Sequence, residues 1–358
     1  MADTPLSALQ DRIRAAVTAK QTLVIRGGGS KAFYGEQCQG ESLDTTALTG
    51  IVAYEPSELV ITAGAGTTLA EIEQTMMEHD QILGFEPPHF GPGGTLGGAV
   101  AAGLSGPRRP YAGAVRDFVL GLKVVDGTGE PLAFGGRVMK NVAGFDVSRL
   151  QTGALGTLGV ITEVSLKCLP RPKIQATVVQ ECTAGESVGR VNAWGGKPLP
   201  LSATAQHDGR LYVRLSGAPS AVATALAVIG GEPVSSDVEF WSSVRDHTHS
   251  FFVAAHDPNR ALWRLSVKSN APSTDLPGNQ LIEWGGALRW LATDADADPA
   301  PIRAWAKANG GHATLFRGGR RAQVFTPLDP PTATLHQRLK ATFDPHGILN
   351  RGRLYPDF

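Results

Sequence analysis

The sequence predicts an α+β fold built as two domains, and three observations lead there. The first 170 residues set short apolar runs beside glycine clusters and capped helices. Pro170-Arg171-Pro172 interrupts that pattern. Beyond it, short strands mix with helices without a repeat of diagnostic period. The length agrees: 358 residues, 42% of them hydrophobic, exceed the roughly 100 to 200 that one domain usually takes. The expected boundaries are 1–172, 173–330 and a C-terminal segment 331–358.

Thr4 as N-cap and Pro5 at the first helical position announce a helix to about Lys20, with Leu9, Ile13 and Val17 on one face. Leu23-Val24-Ile25 reads as a buried strand running into Arg26-Gly27-Gly28-Gly29-Ser30-Lys31. A second strand near 59–62 enters Gly64-Ala65-Gly66. Thr68 and Glu71 then form the two ends of a capping box for a helix that buries Leu69, Ile72 and Met76. Residues 91–106 hold seven glycines, which argues for a loop or a tight packing site rather than a helix. Asp126-Gly127-Thr128-Gly129 between two apolar runs is hairpin chemistry. Near 160 the chain alternates, with Thr162, Val164, Leu166 and Cys168 on one face and Glu163, Ser165 and Lys167 on the other.

Past the proline break, an α+β cap is expected, with strands at 211–215 and 262–267 and helices near 218–229 and 301–309. A last helix at 335–343 stops at Asp344-Pro345.

Composition narrows the function. Lys plus Arg and Asp plus Glu are 33 each, so no overall positive field exists to hold a nucleic-acid backbone. Cys38, Cys168 and Cys182 are too far apart for a CxxC pair and are expected as buried thiols in a reducing cytosol. The N-terminus lacks a basic segment followed by an apolar run, and no stretch of about 18 apolar residues occurs. A cytoplasmic protein is expected, reaching a membrane only through partners.

The chemistry sits in the glycines, 43 in all, against a usual share of roughly 7%. Gly64-Ala65-Gly66 lacks the third glycine of a dinucleotide-binding turn, since Leu69 stands there, and it reads as a tight turn. The GGGSK stretch fails as a phosphate loop, because Ala32 follows Lys31. Two loops remain, 27–29 and 91–98, each able to aim bare amides at an anion, and one pyrophosphate fits between them.

Four ordered segments carry a resemblance: Arg26 to Ser30, PGGTLGG at 92–98, SGPRRPYAGAVRDFVLGLKVVDGTGE at 105–130 and GALGTLGVITEVSLK at 153–167. They resemble the successive FAD-binding motifs of the vanillyl-alcohol oxidase type (PCMH) flavoproteins. The tail FDPHGILNRGRLYP at 343–356 resembles the segment by which those chains return from the cap to the flavin domain. Within that family, RGGGSKAFYG at 26–35, KNVAGFDVSRLQTGALGTLG at 140–159 and LFRGGRRAQ at 315–323 are most similar to the smaller FAD-binding subunits of bacterial glycolate-oxidising complexes.

The resemblance implies a two-subdomain FAD-binding domain with a smaller cap, and oxidation of glycolate, or also D-lactate, to the 2-oxo acid. It implies as partners a larger FAD-containing catalytic subunit and an iron-sulfur subunit, with electrons passed onward to membrane quinone. Carried over, it implies that Arg26, Gly27, Gly28, Gly29, Ser30, Lys31, Pro92, Gly93, Gly94, Thr95, Gly97 and Gly98 surround the pyrophosphate. Gly159, Val160 and Ile161 would meet the adenosine, Gly106 and Arg116 the ribityl and ring portion, and Asn350 the isoalloxazine. Gly153, Gly156 and Gly159 read equally well as plain turn residues.

Where relatives attach flavin covalently through His or Cys, this chain has Ser30 and Pro107-Arg108-Arg109, so a non-covalent FAD is expected. The His-rich GDGNLH-like site of related hydroxy-acid dehydrogenases has no counterpart. His247-Thr248-His249 lacks a third ligand and reads as a surface or polar-core pair. Arg317, Arg320 and Arg321 read either as a carboxylate clamp or as a solvated or interface cluster. No catalytic base is assigned. Two alternatives stay open: a stand-alone FAD-dependent 2-hydroxy-acid dehydrogenase, and a structural subunit that keeps FAD as a folding ligand.

Overall fold

A computed structural model describes residues 4–137, 146–319, 323–356 and 358. The chain divides into two compact units. One comprises Met1–Ser105, Ala114–Pro170 and Pro327–Phe358, the other Gly106–Gly113 and Arg171–Thr326.

The first unit is organised by a five-stranded antiparallel sheet in the order Ile51–Glu55, Val60–Gly64, Val160–Lys167, Val119–Val125, Pro131–Gly135. An antiparallel sheet excludes the parallel dinucleotide fold that the Gly64-Ala65-Gly66 turn superficially suggests. Beside it lies a parallel pair, Leu23–Arg26 with Glu41–Asp44. The first helix, Pro5–Ala19, is capped by Thr4 and buries Leu9, Ile13 and Ala16 against Leu23, Val125, Val160 and Leu349. The helix Leu69–Met77 buries Leu69, Ile72 and Met76 as its spacing requires. Its cap is half of the expected box: Thr68 Oγ1 accepts from Glu71 N at 3.2 Å.

Two readings of this unit are corrected. The glycine-rich stretch does contain a helix, Leu96–Ala102, because Thr95 caps it and burial of Leu96, Ala99 and Val100 outweighs the glycine penalty. Ser165 does not face water either. It is buried, with its Oγ 2.8 Å from Thr62 Oγ1, so both faces of the central strand are packed.

The C-terminal helix Pro330–Phe343 brings the chain's end into the same unit through a buried cation. Lys340 Nζ donates to Thr157 O at 2.8 Å, Leu349 O at 2.7 Å and Asp344 Oδ2 at 2.8 Å. Asp344, 1% exposed, accepts in turn from the amides of Ile348 and Leu349. Burial pushes the Lys340 ammonium below the usual lysine range, while Asp344 opposes the shift.

The second unit is an eight-stranded antiparallel sheet, ordered Glu232–Pro233, Ile174–Glu181, Arg210–Gly217, Leu201–His207, Asn279–Glu283, Leu288–Asp294, Arg260–Ser266, His312–Gly318. The helices Ala184–Gly195 and Pro219–Ile229 pack on Val178, Leu211, Val213 and Leu215, and Pro299–Ala308 packs on Leu265, Ala313 and Leu315. Among the described residues, no helix is long and apolar enough to cross a membrane.

Removing one member of a buried ion pair costs about 3–5 kcal/mol by stranding the other charge. Asp344→Asn is therefore expected to lower unfolding stability by about that amount, read from the shift in a urea denaturation midpoint. A change near zero would contradict the role given to this pair.

Candidate flavin site

Two glycine loops of the first unit meet backbone to backbone. The strand Leu23–Arg26 ends where side chains end, and Gly28 lies against the carbonyl of Gly93 so closely that a Cβ there would collide with it. A Cβ on Gly27 would come within 2.5 Å of Thr95 Oγ1. Gly29 faces open space but has φ +75°, which glycine adopts without strain.

The second loop is fixed from behind by the Gly64-Ala65-Gly66 turn. Leu69 N donates to Gly94 O at 2.8 Å, Leu96 N to Thr67 O at 2.9 Å and Gly97 N to Ala65 O at 2.8 Å. Gly97 lets the helix approach that turn, since a Cβ would sit 2.7 Å from Ala65 Cβ. The turn thus docks a loop instead of binding a ligand.

This arrangement separates used amides from spare ones. Gly97 N is engaged with Ala65 O, and Gly98 N donates to Thr95 Oγ1 at 3.3 Å. By contrast, the amides of Gly27, Gly28, Gly29, Ser30, Gly93, Gly94 and Thr95 make no hydrogen bond within the described chain. Gly94 and Thr95 are buried nonetheless. Buried N–H groups without a protein acceptor call for a ligand or water.

The loops border a cleft of about 360 Å³. Arg26, Gly27, Gly28, Gly29, Ser30, Lys31, Thr95, Gly97, Gly98, Gly159, Ile161 and Asn350 line it. Pro92, Gly93 and Gly94 do not; Gly93 supports Gly28 from outside the cleft. Val160 is turned wholly into the core. Arg116 is exposed on the short helix Val115–Phe118, 3.9 Å from Asp117. Gly106 groups with the second unit, where its carbonyl accepts from Trp284 Nε1 at 3.1 Å.

Asn350 is the most constrained of these residues. It is buried at φ +41°, a left-handed conformation that asparagine tolerates better than most side chains. Its Oδ1 accepts from Ile25 N at 2.7 Å, its Nδ2 donates to Leu155 O at 2.6 Å and its backbone N donates to Leu23 O at 2.9 Å. One side chain therefore ties the first strand, the 155–159 turn and the C-terminal segment together. Gly156, at φ +72°, leaves room for it.

Sequence reasoning missed Gln37, Cys38, Thr45, Ala101, Ala102, Leu155 and Arg353 as lining residues. Cys38 corrects the reading of three buried thiols: it is half-buried on the cleft wall, while Cys168 and Cys182 are buried. Burial pushes the Cys168 thiol up to about 12 and raises Cys182 as well. Among the lining residues, Arg26, Lys31 and Arg353 are cationic and none is Asp or Glu. Spare amides, positive charge and apolar walls from Val24, Ile25, Ala101, Leu155 and Ile161 suit a dinucleotide with a dianionic pyrophosphate and two ring systems, as FAD has.

The other candidates separate. His247 stacks on Phe252 at 3.8 Å, and His249 Nδ1 caps a helix by accepting from Phe251 N. Burial, with the charge of Arg317 nearby, drives the His247 pKa well down. Among the described residues, no group of three or more His, Cys, Asp or Glu could hold a metal ion. Arg320 and Arg321 lie outside the described residues.

A family model described as an FAD binding domain matches residues 5–135. The chain is 45% identical over 350 residues to glycolate oxidase subunit GlcE of Escherichia coli (strain K12), covering 98% of this chain and 97% of that protein. It is 40% identical over 85 residues to glycolate oxidase subunit GlcD of Bacillus subtilis (strain 168), but those span 24% of this chain and 18% of GlcD. A solved structure of alkyldihydroxyacetonephosphate synthase superposes with a TM-score of 0.65 over 96% of this chain and 74% of its own, at 15% identity, which is a likeness of fold.

The cleft makes a chemical prediction. Cys38 is expected to be the first of the three thiols alkylated, and bound FAD to slow its labelling relative to FAD-stripped protein. Peptide mass spectrometry reads the order; equal labelling of Cys38 with and without FAD would remove it from the cofactor cleft.

Proposed function

Because this chain belongs to the GlcE family of glycolate oxidase subunits, we propose that it serves as the FAD-binding subunit of a complex that oxidises glycolate to the 2-oxo acid. The full-length likeness to GlcE carries the reading, and the anion-ready cleft supports it on physical grounds.

When bound, FAD supplies the two-electron acceptor that no side chain can provide. The protein's own contribution is placement. The spare amides of Gly27 to Ser30 and of Thr95, which line the cleft, would hold the pyrophosphate, with Gly93 and Gly94 supporting the first loop from behind and Arg26 and Lys31 adding charge. Gly97 serves by letting the helix Leu96–Ala102 come close to Ala65, and the amides of Gly97 and Gly98 are used internally. Val24, Ile25, Ala101, Leu155 and Ile161 flank the rings and exclude water, and Asn350 holds the turn beside them in register.

The partners in this proposal are a larger flavin subunit of the GlcD kind and an iron-sulfur subunit. They take the electrons onward and hold the complex at the membrane. In this reading the partner flavin subunit oxidises the substrate and this subunit accepts the electrons.

An absorption spectrum of the purified chain should show bound flavin, and anaerobic glycolate should bleach this chain's flavin only once the partner subunits are added. To isolate its signal, the partner flavin is spectrally accounted for with a partner-only control. Bleaching of the chain alone would make it a dehydrogenase in its own right and overturn the relay assignment.

A further inference from the structure

We propose that Arg353 binds the cofactor through its charge, as a fixed cation of the FAD cleft. This rests on the FAD reading above and adds a residue to it. The guanidinium lines the cleft and is steered by two main-chain carbonyls that follow the first glycine loop. Nη2 donates to Ala32 O at 2.8 Å and Nη1 to Glu36 O at 3.2 Å. Carbonyls orient a guanidinium without cancelling its charge, and among the described residues no carboxylate pairs with Arg353.

The backbone is held as firmly. Arg353 N donates to Asn350 O at 3.0 Å, and Arg353 O accepts from Glu36 N at 2.9 Å. Gly35, at φ +95°, is what allows the approach, since a Cβ there would lie 2.9 Å from Arg353 O and 3.1 Å from its Nε. The chain therefore gives up a side chain at position 35 to seat a charge at 353.

The other two cations of the cleft are of a different kind. Arg26 is exposed, and the Lys31 ammonium, half-buried like Arg353, is held at longer range, 3.4 Å from Ser30 Oγ, 3.5 Å from His89 O and 5.5 Å from the Phe90 ring centre. Exposed charges are screened by salt and lose side-chain entropy on binding. A guanidinium already oriented by two acceptors loses less, and its planar fork has donors left for a ligand oxygen.

The test uses the complete FAD-loaded chain and its Arg353→Gln and Arg353→Lys variants. Release of FAD on dilution is followed by flavin fluorescence at low and high salt. Glutamine retains one neutral amide donor group and no charge; lysine retains the charge. Arg353→Gln is expected to weaken FAD retention about ten- to a hundredfold, the range of a charged hydrogen bond, and to flatten its salt dependence, while Arg353→Lys keeps most of both.

Unchanged retention in Arg353→Gln would overturn the proposal. So would equal losses in both variants with the salt dependence intact, because that pattern belongs to packing of the 32–36 stretch. Failure of the unsubstituted chain to hold FAD would overturn the FAD reading itself and this inference with it.

Discussion

The site depends on a steric constraint: two backbones touch where no side chain fits. Gly28 rests on the carbonyl of Gly93, and the amides on either side of that contact are left without protein acceptors. A polar backbone is rarely buried without partners. The contact therefore does two things together. It sets the spacing of two loops, and it leaves a concave row of donors suited to a pyrophosphate. The Gly64-Ala65-Gly66 turn and Thr95 serve this contact, the turn by hydrogen-bonding the second loop and Thr95 by capping the helix that follows it.

The loops would not hold this geometry without the end of the chain. Leu23 N donates to Ile348 O, Asn350 bridges Ile25 and Leu155, and Lys340 is shared between Thr157 O, Leu349 O and Asp344. These bonds span more than three hundred residues of sequence separation at Asn350 and connect the first strand to the last segment. The cost is a buried charge, which is tolerable because all of the Lys340 bonds go to buried acceptors and one is an anion. Stability of the C-terminal segment and readiness of the cleft are thus one property.

Much of this was legible in the sequence, because local chemistry announces local structure. Thr4, Pro5 and the Leu9, Ile13 spacing define the first helix, and Asp126-Gly127-Thr128-Gly129 sits in the turn between Val119–Val125 and Pro131–Gly135. The FAD-binding family followed from ordered glycine motifs. What was not legible depends on tertiary context. Propensity forbade a helix at 96–102, yet burial and a threonine cap produce one. Alternation put Ser165 on the outer face, yet Thr62 gives it a buried partner. Cys38 and Arg353 carry no local signal of their own, and only the folding of the 32–38 stretch against the C-terminal segment brings them to the cleft wall. Gly106 belonged to the flavin motif by position, but Trp284 holds its carbonyl in the second unit.

The central claim, that contact between the two glycine loops creates the cofactor site, is tested most directly by counting FAD per chain in a Gly28→Ala variant that still elutes as a folded protein. The account predicts one FAD per unsubstituted chain and loss of most of it from the variant, because a single methyl group pushes Gly93 away. A folded Gly28→Ala protein that keeps its full complement of FAD would contradict it.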